Sequence, residues 1–198
     1  MMIDTDILLA WGATYKKFAA GEIIFKEGTQ GRFYYQLETG SVRWVNITDD
    51  GREFIQSIIG PGEKFGEFPL IDDLPYSASA IANKDCVILR LPKIIFLQLL
   101  KEYPEIHFKF TRTLVDRLRF KFTFLRELAN ANPEHTILTL FDHFKESRQN
   151  ICLDCNKVQL TRQQIADMTG MRVETVIRTI KNMQSKGTLV INRGKVYC

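Results

Sequence analysis

The chain has 198 residues, 45% of them hydrophobic and 25% charged, with a formal net charge of +4. This composition is that of a soluble globular protein with room for one large or two modest domains. No run of about 18 apolar residues occurs, so no membrane span is predicted. The acidic start MMIDTDILLAWG argues against a secretion signal, and four scattered cysteines fit a reducing cytoplasm.

The charge is distributed unevenly along the chain. Lys and Arg against Asp and Glu give −3 for residues 1–103, +2 for residues 104–160 and +5 for residues 161–198. Positive charge therefore gathers at the C-terminal end, where it could neutralise phosphates. An acidic first part and a basic last part indicate two modules with different roles.

Residues 21–91 have the pattern of short β-strands. Recurrent glycines separate runs such as EIIF, FYYQL, SVRWVNI, EFIQSII and CVILRL, which are rich in aromatic and β-branched residues. This pattern predicts a sandwich, roll or barrel. Thr39-Gly40 and Asp50-Gly51 are predicted turns between strands. We expect residues 3–18 to form a short helix or loop packed on this β structure.

Two helices are predicted after Pro92. The first, KIIFLQLLKEY, ends before Pro104, and the second runs from about Pro104 to Asn130. In the second helix, spacings of three and four residues predict the seam of a two-stranded coiled coil. The seam positions are Thr111, Leu114, Leu118, Lys121, Leu125 and Leu128. The phenylalanines between 108 and 124 could also pack on the β structure, and both contacts can hold at once.

A hinge is predicted at residues 130–133, followed by a helix over about 134–147. Residues 161–186 then have the pattern of two short helices joined by a tight turn. Gly170 lies where a left-handed or close-packed backbone is needed. Apolar residues at i, i+4 and i+7 give the second helix one inward face, formed by Val176, Ile180 and Met183.

The other face of this second helix carries Glu174, Ile177, Arg178 and Lys181. A helix that packs by one face and offers an acid, a guanidinium and an ammonium on the other is suited to the major groove of DNA. Two short apolar runs follow around Asn192-Arg193-Gly194 and predict a β-hairpin. A helix-turn-helix followed by such a hairpin is the winged form, so the sequence predicts DNA binding.

This order of elements, with the segments GEKFGEFPLIDDLPYSASA and TRQQIADMTGMRVETVIRTIKNM, resembles the Crp/Fnr family of bacterial transcription regulators over nearly the whole chain. The resemblance implies an α+β fold. Its parts would be an N-terminal β-roll of the cyclic-nucleotide-binding type over residues 1–103, a long dimerisation helix over 104–130 and a winged helix-turn-helix DNA-binding domain over 131–198. It further implies a cytoplasmic homodimer on palindromic double-stranded DNA, with RNA polymerase as a candidate partner. The dimer interface would comprise Leu114, Leu118, Lys121, Leu125 and Leu128.

The resemblance places Glu174 and Arg178 where family members read base edges. The chemistry agrees, since Arg can pair with guanine through two hydrogen bonds and Glu can accept from cytosine N4. Ile177 would meet a thymine methyl, and Val173 lies where the cyclic-AMP-responsive members have Arg. The expected phosphate or positioning contacts are Thr161, Arg162, Gln163, Arg172 and Thr175, with Lys181 on the same helix face as Arg178.

The predicted sensor half matches the family only in part. Gly66 and Glu67 match residues that hold a ribose in the nucleotide binders, but the Arg-Ser that would pair with the cyclic phosphate is missing. No Arg or Lys lies between Gly66 and Asn83, and a buried phosphate without a cationic partner is costly. We therefore expect no response to cyclic AMP. The predicted site for an unknown small-molecule effector is Gly66, Glu67, Ser77 and Lys121, and no cofactor or metal is predicted.

Cys152 and Cys155 form a CxxC motif that leaves three interpretations open. It is a hairpin that happens to contain two thiols, a redox switch, or half of a zinc site completed by His135 and His143. The alternative function for the whole chain is a ligand-sensing β-roll protein that regulates a protein partner instead of DNA. An enzyme is not expected, because no nucleophile and base occur at a recognisable spacing.

Overall fold

The computed structural model describes residues 3–152 and 154–198. The chain divides into two compact units, Met1–Val115 and Asp116–Cys198, each with its own core. None of the helices in the described ranges is both long and apolar enough to cross a membrane.

The first unit is built on an antiparallel sheet. Helix α1, Thr5–Ala10, precedes the sheet. It is capped by Asp4, whose carboxylate accepts hydrogen bonds from the amides of Asp6 and Ile7. Strand β6 pairs with β1, β2 and β3, while β3 also pairs with β4 and β5. The strands are β1 (Thr14–Phe18), β2 (Ile23–Phe25), β3 (Phe33–Ile47), β4 (Glu53–Ile59), β5 (Lys64–Phe65) and β6 (Ser79–Pro92).

Alternation along β3 and β6 gives this unit two apolar clusters, because successive side chains point to opposite faces of a strand. Tyr35 and Leu37 point into the roll, where they join Phe25, Phe65 and Tyr76. The neighbouring Tyr34 points to the other face and packs on the helices there. One face of the sheet therefore lines the interior of the roll, and helices pack on the other face.

The predicted turn at Thr39-Gly40 is wrong. The two runs on either side of it belong to the single strand β3, whose pairing with β6 shifts register around Thr39. Gly40 has a φ of +95°, and an added Cβ would lie 2.3 Å from the carbonyl oxygen of Asp85. The glycine therefore marks a bulge in a continuous strand. At Asp50-Gly51 the predicted turn is confirmed, and it joins β3 to β4.

Two further helices lie in the first unit, and a third begins there and continues into the second. They are α2 (Phe68–Asp72), α3 (Lys93–Glu102) and α4 (Pro104–Ala129). The sequence did not predict α2, whereas α3 and α4 lie where helices are expected. The Phe96 and Phe110 rings meet edge to face at 5.3 Å, and the buried Lys64 ammonium lies 4.3 Å from the Phe110 ring centroid. This aromatic contact fixes the first turns of α4 against the outer face of the roll.

The second unit contains the C-terminal half of α4 and the elements after it. These are α5 (Pro133–Ser147), α6 (Arg162–Thr169), α7 (Val173–Ser185), β7 (Val190–Asn192) and β8 (Lys195–Tyr197). At the predicted hinge, Ala131 has a φ of +50°, and the Asn132 side chain caps α5. The fully buried core of the second unit contains Ile137, Leu140 and Phe141 of α5, together with apolar residues of α6 and α7. The predicted fold class, a β-roll, a long helix and a winged helix-turn-helix, is confirmed.

Candidate nucleic-acid interface

Helix α6 begins at a complete capping box. The Gln164 amide donates to Thr161 Oγ1 at 3.1 Å, and the Thr161 amide donates to Gln164 Oε1 at 2.9 Å. These bonds satisfy two backbone donors that the helix itself leaves unpaired. Thr161 is thus engaged in capping as well as exposed. The role of Thr161 as a DNA contact stays a prediction. The capping bonds fix the orientation of its side chain.

The turn between the two helices depends on Gly170. Its φ of +68° is in the left-handed region and ends α6, as the sequence predicts. Arg172 then lies in an extended conformation at the N-cap of α7 and is exposed. The free N-terminal amides of α7 follow directly, and such amides favour anions. Arg172 and the start of α7 therefore offer a phosphate two kinds of donor.

Helix α7 has the two faces that its sequence predicts. Val176, Ile180 and Met183 are completely buried. On the opposite side, Glu174, Arg178 and Lys181 are exposed, and Ile177 keeps 39% of its surface in solvent. Within the described ranges, neither Arg178 nor Lys181 forms an ion pair. Both cations can therefore meet DNA without first breaking an internal contact.

The other predicted contacts are partly committed elsewhere. Gln163 Nε2 donates to Asp167 Oδ1 at 2.7 Å along the exposed side of α6. The half-buried Arg162 guanidinium donates to the Gly194 carbonyl at 3.5 Å, and burial lowers the pKa of Arg162. Arg162 thus contacts the hairpin. Val173 and Thr175 are half-buried at the start of α7.

The hairpin adds two cationic residues that the sequence analysis missed. Arg193 and Gly194 form its two-residue turn with φ values of +46° and +75°, the signature of a type I′ turn. Arg193 and Lys195 are both exposed there. The basic NRGK sequence carries the signal for them, because two of its four residues are cationic. The hairpin tip therefore presents positive charge next to Arg162 at the start of α6, whose guanidinium donates to the Gly194 carbonyl.

Comparison with known proteins agrees with this geometry. Residues 15–103 match the cyclic nucleotide-binding domain family, and residues 134–197 match the Crp-like helix-turn-helix domain family. The chain belongs to the Crp/Fnr family of transcription regulators. The cyclic AMP receptor protein of Thermus thermophilus is 28% identical over 202 residues, which cover 98% of this chain and 87% of that protein. The structure of FixK2 from Bradyrhizobium japonicum shares the fold, with a TM-score of 0.78, 20% identity and coverage of 93% and 91% of the two chains.

A third similarity is limited to one part of this Crp/Fnr protein. Lysophospholipase NTE1 of Chaetomium globosum is 27% identical over 119 residues, which cover 60% of this chain but 8% of that enzyme. The shared part is the cyclic-nucleotide-binding region. This similarity therefore concerns the roll, while the helix-turn-helix makes the chain a regulator with a DNA-binding domain.

The predicted effector site of this Crp/Fnr regulator stays a prediction. Gly66 and Glu67 are buried, whereas Ser77 is exposed and its carbonyl accepts from Asn46 at 2.7 Å. Lys121 belongs to the second unit. A Cβ at Gly66 would lie 2.8 Å from the Phe25 ring and 3.3 Å from the Tyr76 ring. The backbone of Gly66 thus packs directly on aromatic side chains.

An aromatic stack fills this part of the roll. The Phe25 and Tyr76 rings are parallel with centroids 3.8 Å apart, and Tyr35 and Phe65 stack beside them at 5.4 Å. Burial raises the pKa of both Tyr35 and Tyr76, so these hydroxyls stay neutral. At the edge of this cluster, the Arg90 guanidinium lies 4.9 Å from the Phe33 ring centroid. The expected lack of response to cyclic AMP stays a prediction.

Helix α4 carries an exposed apolar stripe that differs from the predicted seam by one helix position. Leu118 and Leu125 belong to both sets. Leu114 instead packs against the core of the first unit, and Leu128 is half-buried. The large exposed apolar side chains are Phe108, Val115, Leu118, Phe122 and Leu125. Their successive spacings of seven, three, four and three residues place them on one face.

Lys121 lies beside this stripe. The residue keeps exposed surface, but its ammonium lies in crowded surroundings, and burial with the nearby Arg117 lowers the pKa of Lys121 to about 8. The His143 ring of α5 stacks on Phe120 at 3.5 Å. Burial and the Lys121 charge lower the pKa of His143 to about 4. His143 is thus a neutral packing residue at pH 7.

The zinc interpretation of the CxxC motif finds no support in the geometry. His143 is stacked on Phe120, and His135 is exposed at the start of α5. In the ranges that the structure describes, no group of three or more His, Cys, Asp or Glu side chains is placed to hold a metal ion. Cys152 and Cys155 themselves lie in one short turn of the chain.

Proposed function

We propose that the protein binds palindromic operator DNA as a homodimer, with one α7 in each of two successive major grooves, and that it does so without a cyclic nucleotide. The observation that carries this proposal is the α7 surface of Glu174, Ile177, Arg178 and Lys181. It combines cations for phosphate and guanine, an acceptor for cytosine and an apolar group for thymine. RNA polymerase stays a predicted partner.

The exposed stripe of α4 supports the homodimer. Five large apolar side chains on one helix face form a surface that water solvates poorly, and their heptad-like spacing suits a second copy of the same helix. A two-fold axis along α4 would give the dimer two copies of α7, and half-sites about 34 Å apart on DNA mirror such symmetry. In the proposed dimer, the seam residues are those of the stripe, with Phe122 in place of Lys121.

The aromatic stack supports independence from cyclic nucleotides. Tyr76 fills the interior directly before Ser77, in the segment where nucleotide-binding relatives supply a cation. A ligand would have to displace packed rings, which is unfavourable. The segment from Gly66 to Asn83 also offers its phosphate no Arg or Lys. The roll then serves as a stable scaffold for α4.

Selection of bound duplexes from a random DNA pool tests the DNA and dimer parts together. Purified protein without added ligand should enrich a palindrome whose half-site centres are about 10 base pairs apart. Affinity for that palindrome should fall steeply with salt concentration, because Lys and Arg contacts release counterions. No enriched sequence, or affinity that does not depend on salt, would favour regulation of a protein partner instead.

Sedimentation velocity tests the seam. Leu118→Glu combined with Leu125→Glu should convert the dimer to monomer, because four carboxylates would be buried without partners across the two-fold axis. The matched control is Ile94→Glu on α3, an equally large apolar residue with 75% exposure that lies off the stripe. A monomeric wild type, or dissociation by the control variant, would contradict the seam.

Thermal unfolding tests the nucleotide. Ligand that binds only the folded state raises Tm in proportion to the logarithm of its concentration. We expect millimolar cyclic AMP to leave the Tm unchanged and the operator affinity unaltered. A Tm that rises with cyclic AMP concentration would show that the aromatic stack opens.

A further inference from the structure

Three of the four cysteines lie in one small region of the second unit. Cys152 and Cys155 belong to a turn in which the Asn156 amide donates to the Cys152 carbonyl at 2.8 Å. This i to i+4 bond gives the chain one helix-like turn, so residues three apart lie on the same side. Cys198 follows β8, and its amide donates to the Asn156 carbonyl at 3.2 Å.

The two thiols of this turn interact with each other and differ chemically. The neighbouring Cys155 thiol first, and the nearby amides of Cys155 and Asp154 second, lower the pKa of Cys152. The same thiol contact raises the pKa of Cys155. Cys152 is half-buried and Cys155 exposed. The pair thus combines a thiol of lowered pKa with a neighbouring thiol that solvent can reach, as in reactive dithiols.

This turn also anchors the hairpin. The Val158 amide donates to the Val196 carbonyl at 2.9 Å, and Lys157 pairs with Tyr197. Together with the Cys198 bond to Asn156, these contacts hold β8 along its length. The chain then passes directly from this anchor to Thr161, the cap of α6. A change in the turn therefore reaches the base of the hairpin that bears Arg193 and Lys195.

We propose that Cys152 and Cys155 are a dithiol site that a hydroperoxide oxidises to a disulfide, and that this bond loosens the anchoring of β8 and weakens operator binding. The effect on DNA rests on the proposed function. The modification itself does not. A sulfur–sulfur bond of about 2.05 Å is shorter than a thiol–thiol contact, and its dihedral angle is restricted near 90°. Closing it inside so short a turn displaces the Asn156 carbonyl that holds Cys198.

The reaction balances with hydrogen peroxide or an alkyl hydroperoxide as oxidant. The Cys152 thiolate attacks the terminal peroxide oxygen and the O–O bond breaks. The leaving hydroxide or alkoxide takes up a proton and departs as water or alcohol, so that Cys152 becomes a sulfenic acid. The Cys155 thiol then attacks the Cys152 sulfur and releases water. The two sulfurs lose two electrons and the peroxide gains them. A cellular dithiol of the thioredoxin class reverses the bond by exchange.

The other two cysteines are poorer participants. Cys86 is buried in the roll, and burial raises its pKa. Cys198 is half-buried, and burial raises its pKa as well. Both are therefore expected to react more slowly than Cys152 at pH 7. Cys198 nevertheless lies close enough to the turn to be the most demanding control.

The chemistry is tested by mass spectrometry on the intact chain after a peroxide pulse and thiol labelling. Wild type and Cys198→Ser should lose two labelled thiols and give a peptide cross-linked between Cys152 and Cys155. Cys155→Ser should accumulate a sulfenic acid at Cys152 that dimedone traps. Disulfides between Cys155 and Cys198, or unmodified thiols at peroxide levels that oxidise a control thioredoxin, would overturn the site.

The coupling to the hairpin is tested on the same samples. Oxidation should speed amide exchange at Val158 and Cys198, and should weaken operator binding by about fivefold or more, the smallest size typical of coupling between sites. Cys155→Ser should show neither change after peroxide. A disulfide with unchanged amide exchange overturns the coupling. If the reduced protein binds no DNA, the proposed function fails, while the mass and exchange data still decide the dithiol proposal.

Discussion

The two units keep their family resemblance in different ways. In the roll, the strands and the Gly66-Glu67 segment persist, but side chains of the protein itself fill the interior. In the winged helix-turn-helix, the core persists together with an exposed surface of charged and apolar residues on α7. A fold therefore survives as long as its apolar pattern does, whereas a binding function depends on a few side chains that do not contribute to the core.

Replacing Tyr76 tests the roll side of this comparison with the largest expected effect. Tyr76→Ala removes a buried ring that stacks on Phe25 at 3.8 Å. Loss of a buried aromatic side chain costs about 3–5 kcal/mol of unfolding free energy. Urea unfolding measures it, with Tyr15→Ala as control, since Tyr15 is 52% exposed on the same sheet.

If the ring instead occupied a ligand pocket, Tyr76→Ala would cost little and could even admit a nucleotide. A loss of less than about 1 kcal/mol would therefore contradict the structural role of the stack. Such a result would mean that Tyr76, like the exposed side chains of α7, is present to bind a partner and does not stabilise the core.

The pH dependence of stability probes the packing of the second unit. Burial first, and the Lys121 charge second, lower the pKa of His143 to about 4. In the unfolded chain His143 is protonated below about pH 6.5, whereas in the folded chain it is protonated only below about pH 4. Stability from this group is complete above pH 6.5 and is lost as pH falls toward 4, by up to about 3 kcal/mol.

Urea unfolding between pH 7 and pH 4 measures this loss. His143→Phe keeps a ring on Phe120 and should remove most of the slope, while His135→Gln, at an exposed position of the same helix, should leave it. An unchanged slope in His143→Phe would show that other groups, such as buried carboxylates, govern acid stability.

Arg178→Ala tests the DNA side of the comparison. We expect specific operator binding to be lost, at about 1–3 kcal/mol for each bidentate contact with guanine. The fold should not change, because Arg178 is exposed and forms no ion pair in the described ranges. Fluorescence anisotropy with the selected palindrome measures affinity, and circular dichroism checks the fold.

Gln184→Ala is the matched control for Arg178, since it is exposed near the C-terminal end of the same helix. It should bind the palindrome as wild type does. Equal loss in both variants would mean that α7 acts through general stability or charge. Unchanged affinity of Arg178→Ala would remove α7 from the proposed interface.

How much the sequence predicts follows the same division. A helical period is a strong signal and predicts a core of Val176, Ile180 and Met183, which are fully buried. Thr39-Gly40 misled because a glycine at positive φ serves a bulge as well as a turn. The stripe of α4 differs from the predicted seam because Leu114 is covered by tertiary packing, which spacing alone cannot show. The stack around Tyr76 depends on strands far apart in sequence, so no local pattern predicts it.

The smallest expected effect comes from the ion pair between Lys186 and Glu134, which joins the residue after α7 to the first turn of α5. The ammonium and carboxylate are 2.7 Å apart, with 53% and 22% of the side chains exposed. Partly exposed pairs contribute about 0.2–1 kcal/mol. A double-mutant cycle with Lys186→Met and Glu134→Gln should give a coupling energy in this range that shrinks in 1 M salt. A larger coupling that does not depend on salt would mean that surface polar contacts, as well as the apolar core, fix the orientation of α7. Polar substitutions near the hairpin would then also alter DNA binding.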